Sequence, residues 1–406
     1  MHLPKLERRP ELDALRGLFL VWMTLTHLPT RFADFVNQPI GFVSSAEGFV
    51  FMSALLVGRI YTREFLLDEA GAHMKLWKRS LKIYGYHLLL LAFAFTIAAV
   101  YAVHTHRPAL MNLLNFYLTH PFVAVMGSVL LLYCPPLLDI LPMYVTFLLF
   151  TPLALSIAMR RGWKWILTGS SLLWLMAQFG LRDLVHNWVV AITHLKIPLQ
   201  ETGAFNLFAW QGVWIAGLWL GARSATGVLP LTRIPRWVAA VCGAVCVLFI
   251  SVRYGWLGPR LTQEALAVQV DKWHIGPLRV LNLVAFTIVV YRLRKHVAKL
   301  VAREPFLTLG KASLQVFCAH LFFVFIGLGL LYGEVEQLHG ITAIALISVT
   351  FVALFLVALN EVRKRRRQAA EQARERQRQI ESGQALAGHA MPSQDRAPAK
   401  VVSTTV

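Results

Sequence analysis

Three ionisable side chains, Arg16, His27 and His320, fall inside strongly apolar runs, where they are expensive and therefore candidates for chemistry. Eleven residues advance a helix by about 1,100°, or three turns plus roughly 20°, so Arg16 and His27 share one face about 16 Å apart. A histidine is the usual side chain for moving protons near neutral pH, which makes His27 a candidate general base. Ser313 and His320 are seven residues apart and also share a face. The cluster Lys78, Arg79 and Lys82, followed by Tyr84 and His87, has the charge to hold phosphates, and equally the charge of a loop that stays on the cytoplasmic side. Asp139, five residues before Tyr144, and Arg279 are expected at the same end of the bundle, either paired or facing a substrate. Asn206, Trp210 and Gln211 set an aromatic beside two amides, which suits a sugar as well as an interfacial aromatic belt. Ser53 reads as a site hydroxyl or as a residue that lets helices pack.

These side chains need membrane helices to position them. Hydrophobic residues make up 57% of the 406, and charged residues only 15%, against about 25% in a soluble domain. Spans are expected near 14–32, 47–65, 81–103, 136–158, 163–180, 205–223, 235–253, 276–294, 313–332 and 338–360, since each is long enough to cross a bilayer. The fold class is thus an all-α polytopic membrane protein, a bundle of about ten transmembrane helices over residues 1–360. Residues 361–406 form a basic cytoplasmic tail, expected to lose order from about Ser382. Residues 122–133 are apolar but short and precede Pro135 and Pro136, so they read as a re-entrant or interfacial segment unless they span.

The net charge of +19 is not a nucleic-acid signal. It is distributed by topology. Lys5, Arg8 and Arg9 precede the first span, Arg63, Lys75, Lys78 and Arg79 follow the second, and Arg160, Arg161 and Lys164 follow the fourth. Arg223, Arg233 and Arg236 follow the sixth, and further clusters follow the eighth and tenth. The intervening loops are poorer in bases or balanced by acids such as Asp34, Glu264, Asp271, Glu334 and Glu336. That alternation puts both termini in the cytoplasm. The four cysteines, Cys134, Cys242, Cys246 and Cys318, lack metal-ligand spacing, and no metal site is expected.

The Arg16–His27 spacing resembles the first-helix signature of the acyltransferase-3 superfamily. Gly48-Phe49-Val50-Phe51-Met52-Ser53-Ala54 resembles its Phe-Phe-x-x-Ser-Gly-Phe stretch, with Ala54 where Gly is frequent. Ser313 to His320 resembles its late Ser-Tyr-x-x-Tyr-x-x-His element, with both Tyr positions replaced. More specifically, residues 138–144, 206–211 and 272–279 resemble landmarks of the OpgC family, and the similarity runs from about Glu11 to Asn360. The resemblance implies a bacterial inner-membrane enzyme that succinylates osmoregulated periplasmic glucans, with acyl-CoA, in the first instance succinyl-CoA, as donor.

On that reading Arg16, Lys78 and Arg79, with Lys82 and Ser53, hold the donor. His27 acts as base on a sugar hydroxyl or as an acyl-accepting nucleophile, and His320 or Ser313 orients the step or stabilises the oxyanion. Asp139, Tyr144, Trp210, Gln211, Arg279 and His87 contact the substrate, Arg279 taking glucan or a succinyl carboxylate. The implied partners are the glucan, the bilayer and glucan-synthesis proteins. The reading requires Arg16, His27 and His320 to line one cavity open toward the cytoplasm. The rival is a transporter or flippase with the same buried groups as an ion path, although no repeated halves are visible.

Overall fold

Ten long helices carry the described chain. They are α1 (Pro10–His27), α2 (Ser45–Leu67), α3 (Glu69–His104), α4 (Ile140–Arg161), α5 (Trp163–Gln178), α6 (Leu207–Ala225), α7 (Arg236–Arg253), α8 (Pro277–Arg292), α9 (Ser313–Leu330) and α10 (Gly340–His389). The structure is a computed structural model that describes residues 9–227, 230–333 and 335–389. Lys5, Arg8 and Glu334, which entered the charge argument, lie outside the described residues. Among the described residues there is no strand, only two isolated bridges, Thr30 with Leu338 and Ile40 with Val43.

Each expected span falls on one of these helices. Five helices, α3, α4, α7, α9 and α10, are long and apolar enough to cross a membrane by length and composition. The segment at 122–133 overlaps a nine-residue helix, Pro121–Val129, too short for the roughly 20 residues a spanning helix needs.

Local chemistry explains the helix ends. Pro10 occupies the first turn of α1, with Glu11 and Asp13 beside it to complement the helix dipole. The expected first span ran to 32, but α1 stops at His27, because Leu28 precedes Pro29 and is pushed to extended backbone (ψ 131°). Glu47, at the third position of α2, reaches back to accept from the Ser44 backbone N–H at 3.0 Å. Asp68 caps α3 by accepting from the Gly71 N–H at 3.0 Å, and Asn206 caps α6 through the N–H groups of Phe208 and Ala209.

Helix pairs approach through glycine. A Cβ on Gly217 or Gly221 of α6 would sit 2.5 Å or 2.0 Å from the Phe51 or Leu55 carbonyl of α2, so the two backbones touch. Likewise a Cβ on Gly17 of α1 would meet the Phe306 carbonyl at 2.0 Å, in the short helix Phe306–Lys311 that leads into α9.

By packing, the chain divides into two units, one ending at Ala358 and the other beginning at Leu359. In the first, α10 turns Leu346, Thr350, Leu354 and Ala358 inward at four-residue spacing. The second is helical through Ser382, where loss of order was expected, as far as His389. Residues 390–406 lie outside the described residues.

Candidate active site

The close crossing of Gly17 and Gly310 decides where Arg16 points. Its Nη2 donates to the Gly310 carbonyl at 2.9 Å and to the Ser313 hydroxyl. Arg16 and Ser313 then line a narrow cavity of about 50 Å³ together with Ser53, Arg79, Tyr144, Phe49 and Phe317. Five residues singled out in the sequence, Arg16, Ser53, Arg79, Tyr144 and Ser313, therefore meet at one place. They come from five helices, α1, α2, α3, α4 and α9. The Tyr144 hydroxyl donates to the Phe49 carbonyl at 3.1 Å. Phe49 stacks on Phe317 with ring centres 6.0 Å apart. These rings close the end of the cavity away from the start of α1.

The two histidines lie beyond that aromatic layer. His27 Nδ1 is 3.2 Å from His320 Nε2, and the His320 ring packs edge-on against Phe317 at 4.8 Å. The hydrogen-bond pattern assigns the tautomers. A carbonyl can only accept, so His320 carries its proton on Nδ1 and donates it to the Phe317 carbonyl. Neutral His320 Nε2 is then an acceptor and takes the bond from His27 Nδ1–H. That leaves the His27 Nε2 lone pair free for a proton, the arrangement a general base requires. His320 is fully buried and His27 is partly accessible. His27 is the last residue of α1, so no further turn covers its ring, while ten residues of α9 (about 15 Å) continue past His320.

The expectation of a single cavity holding Arg16, His27 and His320 is corrected here. The narrow cavity has Arg16 in its lining but neither histidine, because Phe317 stands between.

A second cavity, of about 840 Å³, opens at the end where α1 finishes. Its lining includes Gln38 from the loop after α1, and Arg253, Gln263, Lys272, Trp273 and Arg279 from the end of α7 to the start of α8. Arg279 is 1% exposed and pairs with Glu47, which is fully buried; its Nε donates to Glu47 Oε1 and its Nη1 to the Val270 carbonyl at 3.1 Å. Asp139 instead accepts from the Ala204 N–H at 2.9 Å. Of the two alternatives for Asp139 and Arg279, pairing or facing a substrate, the pairing is not made, and Arg279 pairs with Glu47 instead. The sequence signal for it is an acid and a base near the same end of two apolar helices, and Glu47 was not among the candidates. Lys272, also missed, acts electrostatically on His27, Glu47 and Asp139. Burial pulls its ammonium below the ordinary lysine value.

A family model described as OpgC protein matches residues 8–366. The chain belongs to the OpgC family. No curated protein and no solved structure matches it. In this OpgC chain the family match runs across both cavities and the histidine pair.

The remaining sequence candidates of the OpgC chain stand apart from that centre. Gln211 is spent on helix packing, accepting from the Ser170 hydroxyl at 2.7 Å and donating to the Ser170 and Phe208 carbonyls at 2.8 and 3.0 Å. Trp210 is fully buried and its Nε1 holds the Trp273 carbonyl at 3.2 Å, which anchors the loop before α8. Lys78 and Lys82 are exposed, one turn apart on a face of α3 that excludes Arg79 from their company. His87 continues the Arg79–Ile83 stripe two turns further and is fully buried, with neither ring nitrogen hydrogen-bonded among the described residues. It lines neither cavity.

Proposed function

We propose that this chain is a membrane-bound O-acyltransferase of the acyltransferase-3 type, moving a succinyl group from cytoplasmic acyl-CoA to hydroxyls of periplasmic glucan. Membership of the OpgC family implies glucan modification by acyl transfer at the level of the family. The observation that carries the finer reading is the His27–His320–Phe317 chain, in which Phe317 also lines the narrow cationic cavity while neither histidine lines that cavity or the wide one.

In this reading ten helices span the inner membrane, with both termini in the cytoplasm. The donor enters at the α1 start, its phosphates near Arg16 and Arg79 and its thin arm in the narrow cavity. At about 50 Å³ that cavity has room for one or two waters, each occupying roughly 30 Å³. Entry of the arm therefore requires Phe49, Tyr144 and Phe317 to part, and only that movement would join the cavity to His27 and His320 and meet the single-cavity requirement of this reading. The acceptor arrives through the wide cavity. His27 Nε2 takes the proton of a sugar hydroxyl as its oxygen attacks the thioester carbon. The C–S bond then breaks, and the imidazolium returns the proton to the departing thiolate. His320 holds His27 in the required tautomer and spreads the charge that develops on it, as the third member of a hydrolase triad does. Ser313, already bonded to Arg16, is a donor to the arm rather than to the histidines.

The test uses cell envelopes with matched amounts of wild type or His27→Ala and labelled succinyl-CoA. Label on extracted glucan with wild type alone supports acyl transfer through His27. Equal label with both removes His27 from the mechanism. The rival transport reading draws on the same separation of two cavities by a proton-accepting pair. It is favoured if neither succinyl-CoA nor acetyl-CoA labels glucan in any envelope.

A further inference from the structure

The wide cavity carries polar groups that the fold buries and does not satisfy. Arg279 lines it, and its Nη2 has no hydrogen-bond partner among the described residues. Gln38 is 8% exposed and lines it too, and its Oε1 has none either. Lys272 contributes an ammonium that makes no ion pair or hydrogen bond among the described residues; it lies over the Trp273 ring at 4.7 Å and interacts at longer range with Glu47 and Asp139. Leaving a buried guanidinium donor unmade costs about 1–3 kcal/mol or more, so such groups in a cavity wall point to a ligand that supplies the missing acceptor.

Charge says what kind of ligand. Of the three cations in the wall, Arg253 is bonded to Gln263 and Arg279 is paired with Glu47 through its Nε. Asp139 is engaged by the Ala204 N–H, and Asp271 by the backbone and ring of His274 at 2.7 Å. Glu264 is an exposed residue of the wall. The donors left without an acceptor, Lys272 Nζ and Arg279 Nη2, are both cationic, so a carboxylate is the acceptor they would hold most strongly, through charge-assisted bonds.

We infer that Lys272 and Arg279 Nη2 form a carboxylate subsite in the wide cavity, with Gln38 Oε1 accepting a hydroxyl of the same or a neighbouring ligand group. The inference rests on the acyl-transfer reading for its place in the reaction, and on the cavity alone for its existence. A carboxylate reaches it from one of two sources. An acyl group threaded from the narrow cavity leads with its far end, so the free carboxylate of a succinyl chain would emerge on the Lys272 side of His27. Alternatively, the acceptor glycan itself carries the acid.

The experiment uses purified full-length protein in nanodiscs, as wild type, Lys272→Gln and Lys272→Arg. Lys272 lies in a loop, and Lys272→Gln leaves the Glu47–Arg279 pair in place. Succinate and its neutral isostere succinamide are the binding probes, read as the shift in thermal unfolding midpoint. Succinate is expected to stabilise wild type and Lys272→Arg, with binding weakened about tenfold in Lys272→Gln, and succinamide to do nothing. Transfer is then measured with succinyl-CoA against butyryl-CoA on neutral glucan, and with succinyl-CoA on neutral against carboxylated glucan. A loss of donor discrimination in Lys272→Gln assigns the subsite to the acyl chain, and a loss of acceptor discrimination assigns it to the glycan. The inference is overturned if succinate binds wild type and Lys272→Gln equally, or no better than succinamide. If wild type transfers nothing from either donor, the acyl-transfer reading falls, and the probe arm alone decides the subsite.

Discussion

His27 Nδ1 lies 3.2 Å from His320 Nε2, and the Phe317 carbonyl on the far side of His320 determines which nitrogen of each ring carries hydrogen. A backbone acceptor thus sets the protonation pattern of a side chain two residues removed along the hydrogen-bond chain. The consequence is a lone pair on His27 Nε2.

In the acyl-transfer reading His320 is a positioning residue. Replacing it with Ala should lower the rate constant of transfer on the order of 10²-fold, less than the loss for His27→Ala, which should fall in the range of about 10²–10⁴. His320→Gln retains an oxygen that can accept from His27 Nδ1 and should recover part of the rate. Steady-state kinetics across pH separate this from a packing role. His320→Ala should move the pH profile of kcat, whereas a merely structural residue would change amplitude alone.

Breaking the Glu47–Arg279 pair from one side should be costly, because both groups are buried, with side chains 0% and 2% exposed. Glu47→Gln leaves the Arg279 charge uncompensated and is expected to destabilise the fold by about 3–5 kcal/mol. The double change Glu47→Gln with Arg279→Met should recover much of that loss. Thermal unfolding in detergent measures both, and equal destabilisation by the single and double variants would refute the pairing argument.

Arg79 and Lys78 are neighbours in sequence with different surroundings. Arg79→Gln should raise the KM for acyl-CoA about tenfold, the worth of one phosphate contact. Lys78→Gln, on an exposed face, should leave KM nearly unchanged. Initial-rate measurements at varied donor concentration make the comparison.

Gln211→Leu removes two hydrogen bonds from α6 to Ser170 of α5 and one within α6 to Phe208. At about 0.6 kcal/mol for each polar contact within a membrane, the variant should unfold at lower temperature but keep the wild-type KM for glucan. An increase in that KM with unchanged stability would return Gln211 to the substrate contacts.

Gly17→Val places side-chain atoms where the Phe306 carbonyl stands, 2.0 Å from the ideal Cβ position. Overpacking of about 1–3 kcal/mol or more should follow, and the displacement would part Arg16 from Ser313. By contrast, Gly212 of α6 has nothing within 4 Å of its ideal Cβ, and Gly212→Ala should be neutral or stabilise by roughly 0.5–1 kcal/mol. Melting temperatures of the two variants check the contrast.

Much of the site was legible because its signals are periodic. Arg16 and His27 share one face of α1, Ser313 and His320 share one face of α9, and the two faces meet rung by rung, Arg16 with Ser313 and His27 with His320. The candidates that proved to be packing residues, Trp210 and Gln211, carry polar atoms that a sequence shows as available. Only neighbouring chain segments, the Trp273 carbonyl and Ser170, reveal that they are taken.

Local sequence set roughly where the helices lie and which side chains share a face of each, because apolar runs, caps and prolines act over a turn or two of backbone, although several ends differ from the expected spans, as at His27 and Glu69. The tertiary structure alone decided which charges pair and which residues share a cavity. Arg279 chooses Glu47 over Asp139, and Phe317 separates Arg16 from the histidines. Those outcomes depend on how far each helix is rotated and slid against its neighbours. That is set by close contacts such as Gly17 with Phe306 and Gly221 with Leu55, between residues far apart in the chain whose sequence spacing carries no record of the fit.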